Sequence, residues 1–246
     1  MKIFIPFVFF SVIFSFSTFV SAGQSITRPA DSIYTYADAS SGGIGKFYLG
    51  REIAHIVSSS ATTWLDRPDR EQEENANLAV QKMPLKKDDV VADIGAGTGY
   101  YTFKIAPRVP QGKVYAEDVQ DAMIKRLNEK KQELNIKNVE VIKGTDTAVN
   151  LPTGSVDLVI MVDVYHELEY PHETLQSIKN ALKKNGKILL IEYRGEDPNV
   201  QRSLLHKTTV KQLNKELAAN GFTLTYRGEF LPIQHFLIYQ VDKKRR

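Results

Sequence analysis

From residue 90 to residue 241 the chain alternates between short apolar runs and amphipathic stretches, a pattern that few folds accept. Residues 90–93, 113–118, 139–143, 156–162 and 187–192 read as strands, with helices over 100–106, 121–134 and 172–182 between them. The helix over 121–134 places Met123, Leu127 and Leu134 on its apolar side. Residues 156–162 are apolar throughout after Asp157, as a strand buried on both faces should be. Such alternation dictates a parallel sheet with helices on both faces. The ending departs from it. A helix over 210–220, stopped by Gly221, precedes two strands, 223–230 and 235–241, joined by a short turn. One of that pair must run antiparallel. The expected class is α/β: a doubly wound, seven-stranded sheet with its last strand antiparallel.

The 246 residues suit one such domain, over 84–246, with an extension at residues 23–83. Cysteine is absent, which excludes disulfides, a thiolate nucleophile and Cys-ligated metals, and no metal site is expected. A net charge of +3 carries no concentrated basic stripe beyond the tail Lys243, Lys244, Arg245, Arg246, so no nucleic-acid partner is expected. The first residues differ in kind. Lys2 precedes an apolar run over residues 3–20, and Val20-Ser21-Ala22 offers compact residues where a signal peptidase cuts. Residues 1–22 therefore read as a signal peptide, with an uncleaved anchor as the rival reading. Either places the remainder outside the cytoplasm, periplasmic or secreted, and cleavage leaves no stable membrane insertion. No cysteine follows the run, which excludes a lipoprotein anchor.

Residues 23–48, rich in Ser, Gly, Ala and Tyr, read as an irregular arm. A helix is expected over 50–58. A second is expected from Asp66 as its cap, with Pro68 in its first turn, to Met83 before Pro84. The charged stretch beside the sole tryptophan, Trp64-Leu65-Asp66-Arg67-Pro68-Asp69-Arg70, reads as a surface helix or as a lid over a ligand.

The most informative segment is Asp93-Ile94-Gly95-Ala96-Gly97-Thr98-Gly99, where a strand ends in an acid and three glycines lead into a helix. Glycine admits a ligand against the backbone and tolerates positive φ. The helix start adds free N–H groups at the crevice where open α/β sheets bind ligands. A dinucleotide fingerprint requires G-x-G-x-x-G, and Tyr100 occupies its third glycine position. An acid at the strand end would repel a pyrophosphate, whereas it would attract a cationic ligand. An NAD-type oxidoreductase is therefore disfavoured.

The spacing D-I-G-A-G-T-G resembles the first motif of class I S-adenosylmethionine-dependent methyltransferases. The segments V-Y-A-E-D (114–118), L-P-T-G-S-V-D (151–157) and L-K-K-N-G-K (182–187) follow in the order that family shows. The resemblance implies a Rossmann-like fold and S-adenosyl-L-methionine as cofactor. It assigns Asp93, Gly95, Gly97 and Gly99 to the cofactor turn and Asp118 to the ribose hydroxyls. Val119, and less strongly Met123, would flank the adenine. Asp146, in a Gly144-Thr145-Asp146 segment one residue longer than the usual pattern, would stand near the adenine amino group. Asp163 would flank the methionine part.

On the acceptor side the resemblance points to Tyr165 and His166, with His166 as a candidate general base, and to His206 in the loop before a later helix. Arg194 reads as a partner for an acidic acceptor or for a nearby carboxylate, and His235 as structural. The stretches W-L-D-R-P-D-R, V-D-V-Y-H-E and H-F-L-I together resemble a group of exported bacterial methyltransferase-like proteins. The expected activity is methyl transfer to a small molecule or an envelope component. The alternative is a non-catalytic protein binding S-adenosylmethionine or a nucleoside on the same fold.

Overall fold

Strand β4 (Val90–Ile94) occupies the middle of the main sheet because Val91, Ala92 and Asp93 are buried on alternating faces, flanked by parallel neighbours. The computed structural model describes Met1 and residues 33–58 and 62–242. The expected signal segment, residues 23–32 of the arm and the basic tail lie outside the described residues. Around β4 stand β5 (Lys113–Asp118), β6 (Val139–Lys143), β7 (Val156–Val162), β8 (Leu182–Tyr193), β9 (Phe222–Gly228) and β10 (Gln234–Val241). Their order is β6-β5-β4-β7-β8-β10-β9. The first five in that order are parallel, and β10 runs antiparallel to both neighbours, as the two closing strands required.

Period-two alternation divides the core. Val159, Met161, Leu190 and Leu237 face one layer, built with Leu175 and Ile178 of α6 (Pro171–Ala181) and Leu213 and Leu217 of α7 (Val210–Ala219). Leu158, Ile160, Leu189 and Phe236 face the other. There they meet Ala79 and Val80 of α3 (Ala76–Lys82), Ile105 of α4 (Thr102–Ile105) and Leu127 of α5 (Asp121–Glu133). Leu134, expected on the apolar face of α5, sits at the helix end and is half exposed. Strand β8 starts earlier than expected, at Leu182, which pairs with Val156; the register then shifts so that Leu158 pairs with Lys187, and the extra residues of β8 between them bulge.

The arm departs most from expectation. No helix forms over 50–58. Instead β1 (Tyr34–Tyr36), β2 (Gly43–Tyr48) and β3 (Arg51–Ala54) make a small antiparallel sheet. Leu49 and Gly50 both adopt positive φ, 48° and 90°, the geometry of a tight two-residue hairpin. Tertiary contacts fix this sheet. Arg51 forks onto Glu216 of α7 at 2.8 and 2.9 Å and donates to the carbonyl of His166 at 3.0 Å. Asn220 donates to the Tyr48 hydroxyl at 2.7 Å. The helical part of the arm is broken into α1 (Thr62–Leu65), α2 (Arg70–Glu74) and α3, not one helix from Asp66. Asn75, at φ 55°, ends α2 and begins α3. Asp66 caps nothing; its carboxylate accepts from the Thr98 hydroxyl at 2.7 Å. Among the described residues no helix is long and apolar enough to cross a membrane.

Candidate active site

The carboxyl ends of β5, β4, β7 and β8 open into one cavity of about 540 Å³, a size usual for small-molecule sites. The glycine turn forms its floor. Gly95, Gly97 and Gly99 all adopt positive φ, between 56° and 79°, and a Cβ on Gly95 would collide with Val164 at 2.7 Å. A Cβ on Gly97 would meet nothing closer than Leu65 at 3.4 Å, so this glycine keeps the turn bare toward the cavity. Trp64 and Leu65 of α1 and Arg70 of α2 line the same space, while Arg67 turns away to Glu73 and Glu74.

At one end of the cavity are Asp93, Glu117, Asp118, Val119, Met123 and Asp146. Asp118 accepts from the N–H of Gly97 at 2.9 Å and of Gln120 at 2.8 Å, which aims its carboxylate across the turn. Asp93 accepts from the Thr102 hydroxyl at 2.5 Å. Glu117, passed over in the sequence in favour of Asp118, is also buried and accepts from the N–H of Gly95 at 3.3 Å. Burial pushes the Asp93 carboxyl up to about 7 and Glu117 up to about 8, and raises Asp118 as well; neighbouring carboxylates add to the rise in Asp93 and Glu117. Asp146 lies at an exposed edge of the cavity.

The other end is built by the turn after β7. Asp163 is held at φ 53° by its N–H to Ile191 and by Gln234, which donates to Oδ2 at 2.7 Å. Its Oδ1 is buried without a hydrogen-bond partner, and burial drives its pKa well above the usual carboxylate range. Tyr165 contradicts the acceptor-side expectation. It is fully buried away from the cavity, and its hydroxyl donates to Glu216 at 2.8 Å. Period explains the reversal: its neighbours Val164 and His166 line the cavity, and Tyr165 between them turns into the core.

His166 does line the cavity, yet Nδ1 lies 2.6 Å from Glu192 and Nε2 lies 3.0 Å from Nδ1 of His206. Burial alone would lower its pKa, but Glu192 and Glu167 outweigh it and hold the imidazole protonated, up to about 10. An imidazolium has no lone pair to offer, so the geometry removes His166 from the role of free general base at neutral pH. Glu167 is held down to about 2: the close approach of the His166 and His206 imidazoles, at 3.5 and 3.3 Å, and the Val57 N–H overcome its burial. Arg194 donates to the carbonyls of Leu231 and Pro232 and takes no part in the cavity. His235 is structural as expected, bound to Glu196 at 2.9 Å.

Sequence reasoning missed Glu192, Glu167, Tyr193 and Arg202. Glu192 is wholly buried at the end of β8, where its Oε1 accepts from the N–H groups of Val164 and Tyr165. An acid closing an otherwise apolar strand was the available signal. Tyr193 donates to Glu74 at 2.8 Å, and Arg202 stacks over its ring at 4.6 Å. No local pattern could have joined those three.

A glycine turn and acids at the ends of successive parallel strands, on a sheet with one antiparallel strand, define a nucleoside-binding Rossmann-like enzyme class. The profile of the methyltransferase-domain family matches residues 85–236, and the chain belongs to that family. It is 24% identical over 150 residues to the uncharacterized methyltransferase YcgJ of Bacillus subtilis, covering 61% of this chain and 58% of that protein. It is 29% identical over 111 residues to the ubiquinone/menaquinone biosynthesis C-methyltransferase UbiE of Pasteurella multocida, covering 44% of this chain and 41% of that one. The matches thus span about half the length of these relatives. The crystal structure of a SAM-dependent methyltransferase from Aquifex aeolicus superposes with a TM-score of 0.71 at 26% identity, covering 76% of this chain and all of that one.

The cofactor is S-adenosyl-L-methionine, and the residues present fit it. The bare face of Gly97 leaves room against the backbone, and Asp118 offers a carboxylate at the second strand end. The unpartnered Oδ1 of Asp163 awaits a donor or a cation.

Proposed function

We propose that the protein transfers a methyl group from S-adenosylmethionine to a small molecule or an envelope component. The observation that carries this reading is a set of four carboxyls around one cavity, Asp93, Glu117 and Asp118 buried and Asp163 with its Oδ1 enclosed. A cationic or hydroxyl-rich ligand would relieve such crowding. The cofactor supplies a methyl group on a sulfonium, an electrophile with a good leaving group. Asp118 would take the ribose hydroxyls, Asp93 and Asp163 would attract the cationic end, and Val119 and Met123 would face the adenine. His166, Glu167, His206, Tyr193 and Arg202 would surround the acceptor. Leu65 above Gly97, with Asp66 bound to Thr98, supports α1 as a lid that excludes water.

Calorimetric titration with S-adenosylhomocysteine and, separately, NAD tests this reading. Micromolar affinity for the former, about −8 kcal/mol, and none for the latter is expected. A folded protein that ignores millimolar S-adenosylhomocysteine overturns it. We further propose that residues 1–22 direct export. Mass spectrometry of the protein from a bacterial envelope fraction should then find an N-terminus at or beside Gly23, and intact Met1 in the cytosol would refute export.

A further inference from the structure

Two histidines forty residues apart meet a glutamate at the acceptor end of the cavity. His166 Nε2 and His206 Nδ1 are 3.0 Å apart, and Glu167 Oε1 lies 3.5 Å from the first and 3.3 Å from the second. Three atoms so spaced lie on a circle of radius about 1.9 Å. A metal ion with bonds of about 2.1 Å would therefore sit roughly 0.9 Å above their plane, with the remaining positions open.

The surroundings are those of a built site. Glu192 Oε2, 2.6 Å from His166 Nδ1, fixes the outer nitrogen and turns Nε2 to the cluster, as carboxylates behind metal-bound histidines do; a divalent ion would displace the Nε2 proton that the ion-free imidazolium carries. Glu192 is itself held by two backbone N–H groups. Glu167 is oriented in the same way: the N–H of Val57 donates to Oε2 at 3.0 Å. That leaves Oε1 buried and without a directed hydrogen bond, facing the two imidazoles. The Glu167 side chain is only 8% exposed and that of His166 1%. Two carboxylates and two imidazoles give the cluster an excess of negative charge that a divalent ion would neutralise. All three candidate ligands line the cavity.

We propose that His166, Glu167 and His206 form a binding site for one divalent first-row transition-metal ion on the acceptor side of the cavity. Two nitrogens, one carboxylate oxygen and open positions suit Zn²⁺, Fe²⁺ or Mn²⁺ and do not suit Mg²⁺ or Ca²⁺. The ion site stands independently of the methyl-transfer reading. What rests on that reading is the acceptor class: molecules able to place a hydroxyl or carboxylate oxygen on the ion.

Chelator-stripped full-length protein titrated with ZnCl₂, and in parallel with MnCl₂, should bind one ion per chain with micromolar or tighter affinity for zinc and weaker affinity for manganese. His206→Ala and Glu167→Gln should each weaken zinc binding at least tenfold. His172→Ala, outside the cluster, should not change it. Retained binding of S-adenosylhomocysteine reports that each variant is folded. Anomalous diffraction at the zinc edge from wild-type crystals gives an answer without variants, with a peak expected among the three side chains. Peaks only elsewhere, or zinc affinity unchanged in both cluster variants, overturn the proposal and leave a proton-bridged histidine pair. Loss of S-adenosylhomocysteine binding by wild type, with zinc binding intact, would instead count against the methyl-transfer reading alone.

Discussion

Asp118 and Glu117 are adjacent and both acidic, yet they face different tasks. Asp118 is aimed by two N–H groups across the glycine turn, whereas Glu117 is enclosed beneath Gly95 and Gly144. Replacing Asp118 by alanine removes a charged acceptor worth about 1.5–3 kcal/mol per hydrogen bond to ligand, and S-adenosylhomocysteine should bind more than tenfold weaker by calorimetry. Unchanged affinity would move the ribose elsewhere. Glu117 makes a different prediction, in pH. Its native carboxyl is pushed up from 4.5 to about 8, so the folded chain keeps a proton that the unfolded chain releases. Stability contributed by that proton is present in full below pH 4.5 and is lost as pH rises through about 8. Glu117→Gln removes the titration. Melting curves from pH 5 to 9 should show the variant gaining on wild type as pH rises; parallel curves would show that Glu117 is ionised at little cost.

At the scale of elements, the small N-terminal sheet is held to the domain by buried polar groups as well as apolar packing. The Arg51 guanidinium, its side chain 10% exposed, satisfies Glu216, which is entirely buried and also accepts from Tyr165. Removing one partner leaves a buried charge uncompensated. Arg51→Ala should therefore cost about 3–5 kcal/mol in denaturant unfolding, more than its exposed counterpart Lys113→Ala, whose pairing with Glu140 is solvated. Equal, small losses would show that the hairpin docks through Tyr34, Tyr48 and Ile53 alone. Because Arg51 also grips the carbonyl of His166, the same contact positions the turn that carries His166 and Glu167.

At the scale of the molecule, the cavity gathers acidic groups from three parallel strand ends and faces them with one lining arginine from the arm, Arg70, already paired to Glu74. With Asp93 near 7 and Glu117 near 8, the site holds protons at neutral pH that a cationic ligand would displace. Calorimetry of S-adenosylmethionine binding in buffers of differing ionisation enthalpy should reveal net proton release at pH 7. The release should shrink in Glu117→Gln. Proton uptake instead would mean that these carboxyls are not the ones the ligand relieves.

The sequence by itself determined the main sheet and the cofactor turn. Their signals are local: period-two apolar strands, a strand-end acid, and glycines forced by backbone conformation at alternate positions. Seven strands, their order of appearance and the antiparallel close all follow from patterns a few residues long. The arm was misread because Leu49-Gly50 makes a hairpin only when Tyr48, Arg51 and Ile53 find partners on the distant α7 and in the core. Tyr165 was misplaced because a single residue of register in the turn after β7 decides between cavity and core. The sequence offered His166 and His206 for the acceptor end of the cavity, but how they are paired was decided by tertiary structure. His166, Glu167, Glu192 and His206 come from three separate segments, and only the parallel pairing of β7 with β8 brings Glu192 behind His166. Charge and hydrogen bonding between groups dozens of residues apart leave no periodicity in a sequence, so their chemistry becomes visible only once the sheet has assembled.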